Sequence, residues 1–314
     1  MRRKMTPTGN LTREEWLQLR RNGIGGSDAS VIMGKNPYRS ILQLWEEKTG
    51  KLPVTDNGNE FTYWGNVMEP IIRKEFMNRT GLKVRQKHAM IFHEDYPYRF
   101  ADVDGIVTDE RGEKCIFEAK TASQYKADQW ENGVPEEYVL QVQHYLAVSG
   151  FECWYIAAVV FGRDFIIHKI ERDEELIQNL ITIEERFWKE HVMAHVMPDP
   201  DGTKSCSEQI AKMYFKADKE KIVQLHGYNG ILNRREELVE LIEKLETEKT
   251  AIDQKIKLEM QDASKALAEE YQVTWSSYSS SRLDSKRLKE EKPEIYEAYV
   301  NKSSTRRFTV NRVA

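Results

Sequence analysis

Apolar and polar positions along the chain change period twice. From Thr12 to Thr80 the spacing is helical. Thr12-Arg-Glu-Glu15 is a capping-box pattern that opens a short helix through Arg20. The glycines of Gly23-Ile-Gly-Gly-Ser-Asp28 allow a tight turn; Ser27 or Asp28 can cap the next helix, which Gly34 ends. Residues 40–49 and 64–80 predict two more helices, the second with Val67, Met68, Ile71, Ile72 and Phe76 at helical spacing. The pattern then turns strand-like in Ala89–Phe92, Phe100–Asp104, Lys114–Glu118, Trp154–Phe161 and Phe165–Ile170, which are rich in β-branched and aromatic residues. Pro135–Ser149 returns to helical spacing between them. This order predicts an α/β (α+β) core, a central mixed β-sheet flanked by helices.

Pro198-Asp-Pro-Asp-Gly202 is a turn-rich break and the expected boundary between a domain at 1–198 and a C-terminal region at 199–314. Residues 208–270 are almost continuously helix-compatible. Leu238, Leu241, Ile242, Leu245, Ile252 and Ile256 form an apolar stripe, so a helical hairpin or short coiled coil is expected. Val273–Ser281 predicts a strand or ribbon, 284–300 a helix interrupted near Pro293, and Arg307–Val310 a last strand.

Composition narrows the function classes. The 314 residues carry a net charge of −4, with 40% hydrophobic and 31% charged residues. That excludes wholesale disorder and a protein that grips nucleic acid by bulk positive charge, though not one with a local basic groove. No apolar run approaches a membrane span and no apolar segment follows the basic N-terminus, so a cytoplasmic location is expected and no membrane partner. Cys115, Cys153 and Cys206 form no CxxC pair; neither a zinc site nor a disulfide framework is expected, only reduced thiols. His88, His93, His144, His168, His191 and His195 show no metal-binding spacing and read as structural.

One constellation carries chemistry. Asp104 precedes Gly105 after a strand-like run, and the next strand carries Glu118-Ala-Lys120. Residues two apart in a strand share a face, so Glu118 and Lys120 stand side by side, and a hairpin through Arg111-Gly112 brings Asp104 to them. Two hard oxygen ligands suit Mg²⁺, and a lysine in reach of the nucleophile orients water or offsets charge. The same E-x-K pattern also fits an exposed ion pair on an edge strand. Asp102, on the same strand face as Asp104, competes for the ligand role; the following glycine favours Asp104. Glu69, just before Pro70, offers a third carboxylate from a flanking helix. Tyr138, Gln141 and Tyr145 share one face of the 135–149 helix, as site residues or as an amphipathic face with buried aromatics. Arg20 and Ser27 flank the glycine-rich turn and read as a phosphate cradle or as a plain capped turn.

Taken in order, five pieces resemble the PD-(D/E)XK nucleases, and among them the YqaJ-like viral recombinases related to lambda exonuclease. They are Leu19-Arg-Arg-Asn-Gly-Ile-Gly-Gly-Ser-Asp28, Trp64-Gly-Asn-Val-Met-Glu-Pro70, Asp102-Val-Asp-Gly105, Phe117-Glu-Ala-Lys120 and Tyr138-Val-Leu-Gln-Val-Gln-His-Tyr145. The last contains a Q-x-x-x-Y pattern shared with RecB-type nucleases, and Val103 stands where the family motif has proline. The resemblance implies that Asp104, Glu118, Glu69 and the backbone carbonyl of Ala119 hold Mg²⁺, for which Mn²⁺ can substitute. It implies that Lys120 positions the attacking water and that Gln141 and Tyr138 line the catalytic site. Arg20, Ser27 and Tyr145 would meet the DNA, the first two at its 5′-phosphate. The implied activity is a 5′→3′ double-strand DNA exonuclease acting on linear ends and leaving 3′ overhangs. Implied partners are a single-strand-annealing recombinase of the RecT or beta type and further copies of the chain in a ring such as a trimer. An endonuclease or RecB-like nuclease of the same fold, or a non-catalytic DNA-binding or assembly protein, are the alternatives. In the C-terminal region Lys286, Arg287, Lys289, Lys302, Arg306, Arg307 and Arg312 could contact a DNA backbone or form a solvated basic face.

Overall fold

Strand register places most of the candidate chemistry. The computed structural model describes residues 4–52, 60–86, 89–301 and 305–313; His88 and Lys302 lie outside the described residues. In chain order the first part contains β1 (Lys4–Pro7), α1 (Arg13–Arg21), α2 (Gly26–Ile32), α3 (Ile41–Thr49), α4 (Glu60–Thr80), β2 (Val84–Gln86), β3 (Ala89–Phe92), β4 (Phe100–Asp102), β5 (Gly105–Thr108) and β6 (Lys114–Ala122). It continues with α5 (Ala127–Glu131), α6 (Glu136–Ser149), β7 (Cys153–Val160), β8 (Asp164–Glu171), α7 (Glu174–Arg186), a π-helical turn at Phe187–Met193 and α8 (Lys204–Met213).

The main sheet has the order β2-β5-β6-β7-β8, and β1-β3-β4 form a smaller antiparallel sheet. Only β6 and β7 pair in parallel within the main sheet, which is therefore mixed, as expected from the sequence. A parallel pair needs a crossover, and α5 and α6 provide it. The two faces of β6 alternate strictly. Cys115 and Phe117 face α4 and pack with Ile72, Phe76, Cys153 and Ala157. Ile116 faces α6 and packs with Val142, Leu146, Ile156 and Ala158. Farther along β6, Glu118 and Lys120 share the face turned to α6, where Glu118 meets Gln141, while Ala119 packs on the α4 side.

Helix α4 is anchored along half its length. Ile72 and Phe76 are buried, whereas Phe61, Tyr63, Trp64, Val67 and Ile71 are exposed. The helical spacing of Val67 and Ile71 therefore does not mark a continuous core face; the helix has run past the edge of the sheet.

A buried ionic triad ties α6 to β4 and α7. His144 approaches Glu184 Oε1 with Nδ1 (2.7 Å) and the carbonyl of Phe100 with Nε2 (3.0 Å). Both partners accept, so the ring carries both protons. Burial alone would lower the His144 pKa, but the Glu184 carboxylate outweighs it and holds the value above that of a free histidine. Arg99 supplies the second cation, with Nε 3.2 Å from Glu184 Oε2 and a further hydrogen bond to the carbonyl of Ile181.

Three sequence expectations are corrected. Cys115 and Cys153 are bonded to each other, because the β6–β7 register sets them opposite with Cα atoms 4.7 Å apart. A separation of 38 residues in the chain does not reveal that; Cys206 remains a buried free thiol. The first compact unit runs on to Tyr214, past the break at 198–202. There Asp201 accepts from Ile41 N (3.3 Å) and Gln209 bonds to the buried Glu46. Third, the helical hairpin is not formed. In the second unit α9 (Asn229–Met260) is a single long helix, followed by a hairpin of β9 (Lys265–Leu267) and β10 (Gln272–Thr274), then α10 (Ser285–Glu291) and α11 (Pro293–Tyr299). Gly227 and Gln261, both at positive φ, bound α9. Its stripe residues Leu238, Leu241, Ile242, Leu245 and Ile252 are exposed. Residues 307–310 belong to no strand or helix; nearby Arg312 binds Glu236 (3.3 Å) on α9. No helix among the described residues is long and apolar enough to cross a membrane.

Replacing Glu184 with alanine leaves two buried cations without their anion and should cost about 3–5 kcal/mol in urea unfolding. Because the folded His144 pKa is raised, its contribution is fully present below about pH 6.5 and is lost as pH rises through the folded value. Stability of the parent chain should therefore fall on the alkaline side more steeply than that of His144→Gln; parallel pH profiles would contradict this.

Candidate active site

Asp104 occupies the bend between β4 and β5, where Gly105 allows the turn. A Cβ at Gly105 would lie 2.6 Å from Val84 Cγ1 and 3.3 Å from the carbonyl of Arg85, so β2 passes too close for any side chain there. The bend aims the Asp104 carboxylate at β6, and Oδ2 accepts the N–H of Ala119 (2.9 Å). Asp104 is thereby fixed beside Glu118 and Lys120 without a regular ladder bond.

Glu118 is 4% exposed. Its Oε1 accepts from Lys120 Nζ (2.8 Å) and from Gln141 Nε2 (2.8 Å); its Oε2 is buried without a hydrogen-bond partner. Burial, reinforced by the charge on Asp104, raises the Glu118 pKa to about 8. Burial also raises Asp104, against the pull of Lys120. Glu69, on α4, is raised by burial and by the Asp104 charge, while Arg73, 3.1 Å away on the next turn, opposes the shift. Asp104 thus repels a carboxylate on either side. Gln141 also donates to Tyr145 OH (3.2 Å), and the Lys120 ammonium lies 4.9 Å from the centre of the Tyr138 ring.

The glycine-rich turn closes the cleft opposite. Arg20 donates to Ser27 Oγ (2.9 Å) from the last turn of α1. The turn is held from behind by buried charges. Asp28 Oδ2 accepts from Gly25 N (3.0 Å) and pairs with Lys48 (2.7 Å), and Lys48 also donates to the carbonyl of Arg20 (2.8 Å). Gly26 packs against α6, where a Cβ would sit 2.8 Å from the Gln141 carbonyl and collide with the Tyr145 ring. One cleft of about 620 Å³ is lined by Arg20, Ser27, Glu69, Asp104, Glu118, Lys120, Gln141 and Tyr145. Residues up to 125 positions apart in the chain, Arg20 and Tyr145, therefore share one wall.

Residues 15–152 match the YqaJ-like viral recombinase domain. The protein YqaJ of Bacillus subtilis (strain 168), itself uncharacterised, is 37% identical over 99% of this chain and 98% of its own length. This chain belongs to the YqaJ-like viral recombinase family. The fold has a solved counterpart in LHK-Exo, an alkaline exonuclease of Laribacter hongkongensis crystallised with dAMP. It superposes with a TM-score of 0.50 at 22% identity, covering 64% of this chain and 99% of that one.

In this YqaJ-like chain the cleft contains side chains that the sequence motifs pass over. Trp16 lies between two guanidinium groups, Arg13 at 4.2 Å and Arg20 at 4.6 Å from its ring, and donates its indole N–H to Asp102 Oδ2 (2.9 Å). The Arg13, Trp16, Arg20 spacing of one helix face was the available signal. Asp102 and Asp104 both line the cleft, and Asp104 reaches the β6 backbone. Tyr138 supports Lys120 through its ring. Elsewhere, Asp109 lies within 4.8 Å of the Cys115 and Cys153 sulfurs. That group is not a rival metal centre, since the sulfurs are bonded to each other and Asp109 accepts from Arg111 N and Glu113 N (each 2.9 Å).

The raised Glu118 pKa has a measurable consequence in EDTA. A carboxylate whose folded pKa is raised favours folding only while protonated, so its penalty grows from pH 4.5 to about pH 8. Glu118→Gln should unfold at a higher temperature than the parent chain at pH 8, by a free energy on the order of a few kcal/mol at about 1.4 kcal/mol per pKa unit. The difference should vanish near pH 4; a constant offset across that range would refute the assignment.

Proposed function

We propose that this chain is a metal-dependent 5′→3′ exonuclease of double-stranded DNA, acting on linear ends and leaving 3′ single-stranded overhangs for single-strand annealing. The observation that carries this reading is the buried, unpartnered Oε2 of Glu118 in a cleft with Asp104 and Glu69. Converging carboxylates, two of them raised by burial and by the charge on Asp104 and one with an orphaned oxygen, fit a hard divalent cation. Asp104, Glu118 and Glu69 would hold Mg²⁺, or Mn²⁺ in its place. The Ala119 carbonyl would join them, since a strand residue presents its N–H and C=O to the same edge and the Ala119 N–H already faces Asp104. When bound, such an ion lowers the pKa of a water and polarises a phosphoryl oxygen.

The protein's own groups would do the rest. Lys120 holds Glu118 and orients the attacking water, and Gln141 fixes the carboxylate from α6. Tyr138 keeps the ammonium in place. Arg20 and Ser27 receive the terminal 5′-phosphate, with Tyr145 behind them, so that cleavage starts from the 5′ end. Family membership supports a role in recombination, with an annealing recombinase and further copies of the chain as partners.

The reading is tested on linear duplexes with 5′-phosphate or 5′-hydroxyl ends and on closed circles, with Mg²⁺ or EDTA. Linear DNA should be degraded only with the metal, and Glu118→Ala or Lys120→Ala should lower the rate at least 100-fold. Equal cutting of circles would identify an endonuclease, and no cutting with any divalent ion a binding protein. Arg20→Ala should remove the preference for phosphorylated ends; an unchanged preference would refute the phosphate cradle.

A further inference from the structure

A second concavity lies on the same sheet. It is a groove of about 1030 Å³, formed by the turn before β2, by β2 and β5, and by the first residue of β6. Lys83, Arg85 and Lys114 line it, all three exposed. None forms a salt bridge with another described residue, and no Asp or Glu is among the residues lining the groove. This contrasts with the catalytic cleft, where Glu69, Asp102, Asp104 and Glu118 converge.

Register arranges the cations in a lattice. Arg85 pairs with Ile106, Val84 with Val107, and Thr108 with Lys114. Extending that register by one residue sets Lys83 beside Thr108, so Lys83, Thr108 and Lys114 form a row across the sheet. Arg85 lies two residues along on the same face, about 6.7 Å from Lys83 at the usual rise per residue. That step is of the order of the distance between neighbouring phosphates in a stretched strand. Met5, half exposed, and the partly exposed Leu82 and Ile106 add an apolar wall. β2 borders both concavities: its last residue, Gln86, lines the catalytic cleft, while Arg85 lines the groove.

We propose that this groove binds single-stranded DNA, holding the strand that the cleft does not cut. The inference rests on the nuclease reading for the identity of that strand, but the site is defined by its own charge and shape. A single strand is favoured over a duplex because its unstacked bases can cover the apolar wall while its phosphates meet the cations. Placing that strand in the groove keeps it beside the cleft yet away from the carboxylates.

The test measures binding without turnover. The full chain in EDTA is titrated against a fluorescent 20-nucleotide thymidine strand by anisotropy at several salt concentrations. The triple variant Lys83→Gln, Arg85→Gln, Lys114→Gln should bind at least tenfold more weakly. Its salt slope should be smaller by about 2, the value for three lost phosphate contacts to a single strand. All three side chains are exposed, so its melting temperature should match the parent's, and Arg85→Gln alone should give a proportionate loss. With Mg²⁺, the triple variant should still cleave the terminal bond of a short phosphorylated duplex at the parent rate. Unchanged affinity and slope would overturn the proposal. So would a change in molecular mass by light scattering with DNA affinity retained, which would make the groove a contact between copies. If the parent cleaves nothing yet the triple variant loses binding, the nuclease reading fails and the groove stands.

Discussion

The buried carboxylate of Glu118 is the constraint on which the rest of the first unit depends. A carboxyl group at 4% exposure is tolerated only with close partners, and β6 supplies one of them itself, since Lys120 stands on the same face. The other comes from α6, and α6 is where it is because the parallel β6–β7 pair requires a crossover. Sheet topology, helix placement and the hydrogen bonds of one carboxylate are therefore a single problem with a single solution. One oxygen, Oε2, is left over without a hydrogen-bond partner.

The same economy applies on the opposite wall. The Arg20–Ser27 pair is half-buried and is mounted on Asp28 and Lys48, which are almost fully buried. Lys48 bonds to the backbone of α1 and to the residue that closes the glycine turn, so α1 and the turn are tied to each other. Gly26 then presses this wall on to α6, the helix that also carries Gln141. Both walls of the cleft are thus indexed to α6, which is itself clamped from behind by the Arg99–Glu184–His144 triad.

How much of this the sequence disclosed depended on the range of the interaction. Local signals were legible: the Thr12–Glu15 box is formed as read, with Thr12 N donating to Glu15 (2.8 Å) and Glu15 N to the Thr12 hydroxyl (3.2 Å). The strand period put Glu118 and Lys120 on one face, and the helix period put Gln141 and Tyr145 together. Contacts set by long-range register were not legible. The Cys115–Cys153 bond, the Asp102–Trp16 bond and the α3–α8 packing each join residues whose separation in the chain carries no information about distance. The C-terminal region misled for another reason. Its apolar stripe has helical spacing, but spacing alone does not say whether a partner helix follows, and here a β-hairpin does.

Helix α4 combines two mechanical regimes. From Ile72 onward it is gripped by the sheet; before that its aromatic side chains project into solvent. Glu69 sits at the junction, and Pro70 next to it has no N–H to return to the carbonyl of Asn66. The helix is therefore held by the sheet toward its C-terminal end, and one backbone hydrogen bond is missing beside the carboxylate. Of the four acidic groups in the cleft, Asp102, Asp104 and Glu118 stand on or beside strands, and Glu69 alone is carried by a helix. Displacing Glu69 would bend one helix, whereas displacing Glu118 would disturb a core strand.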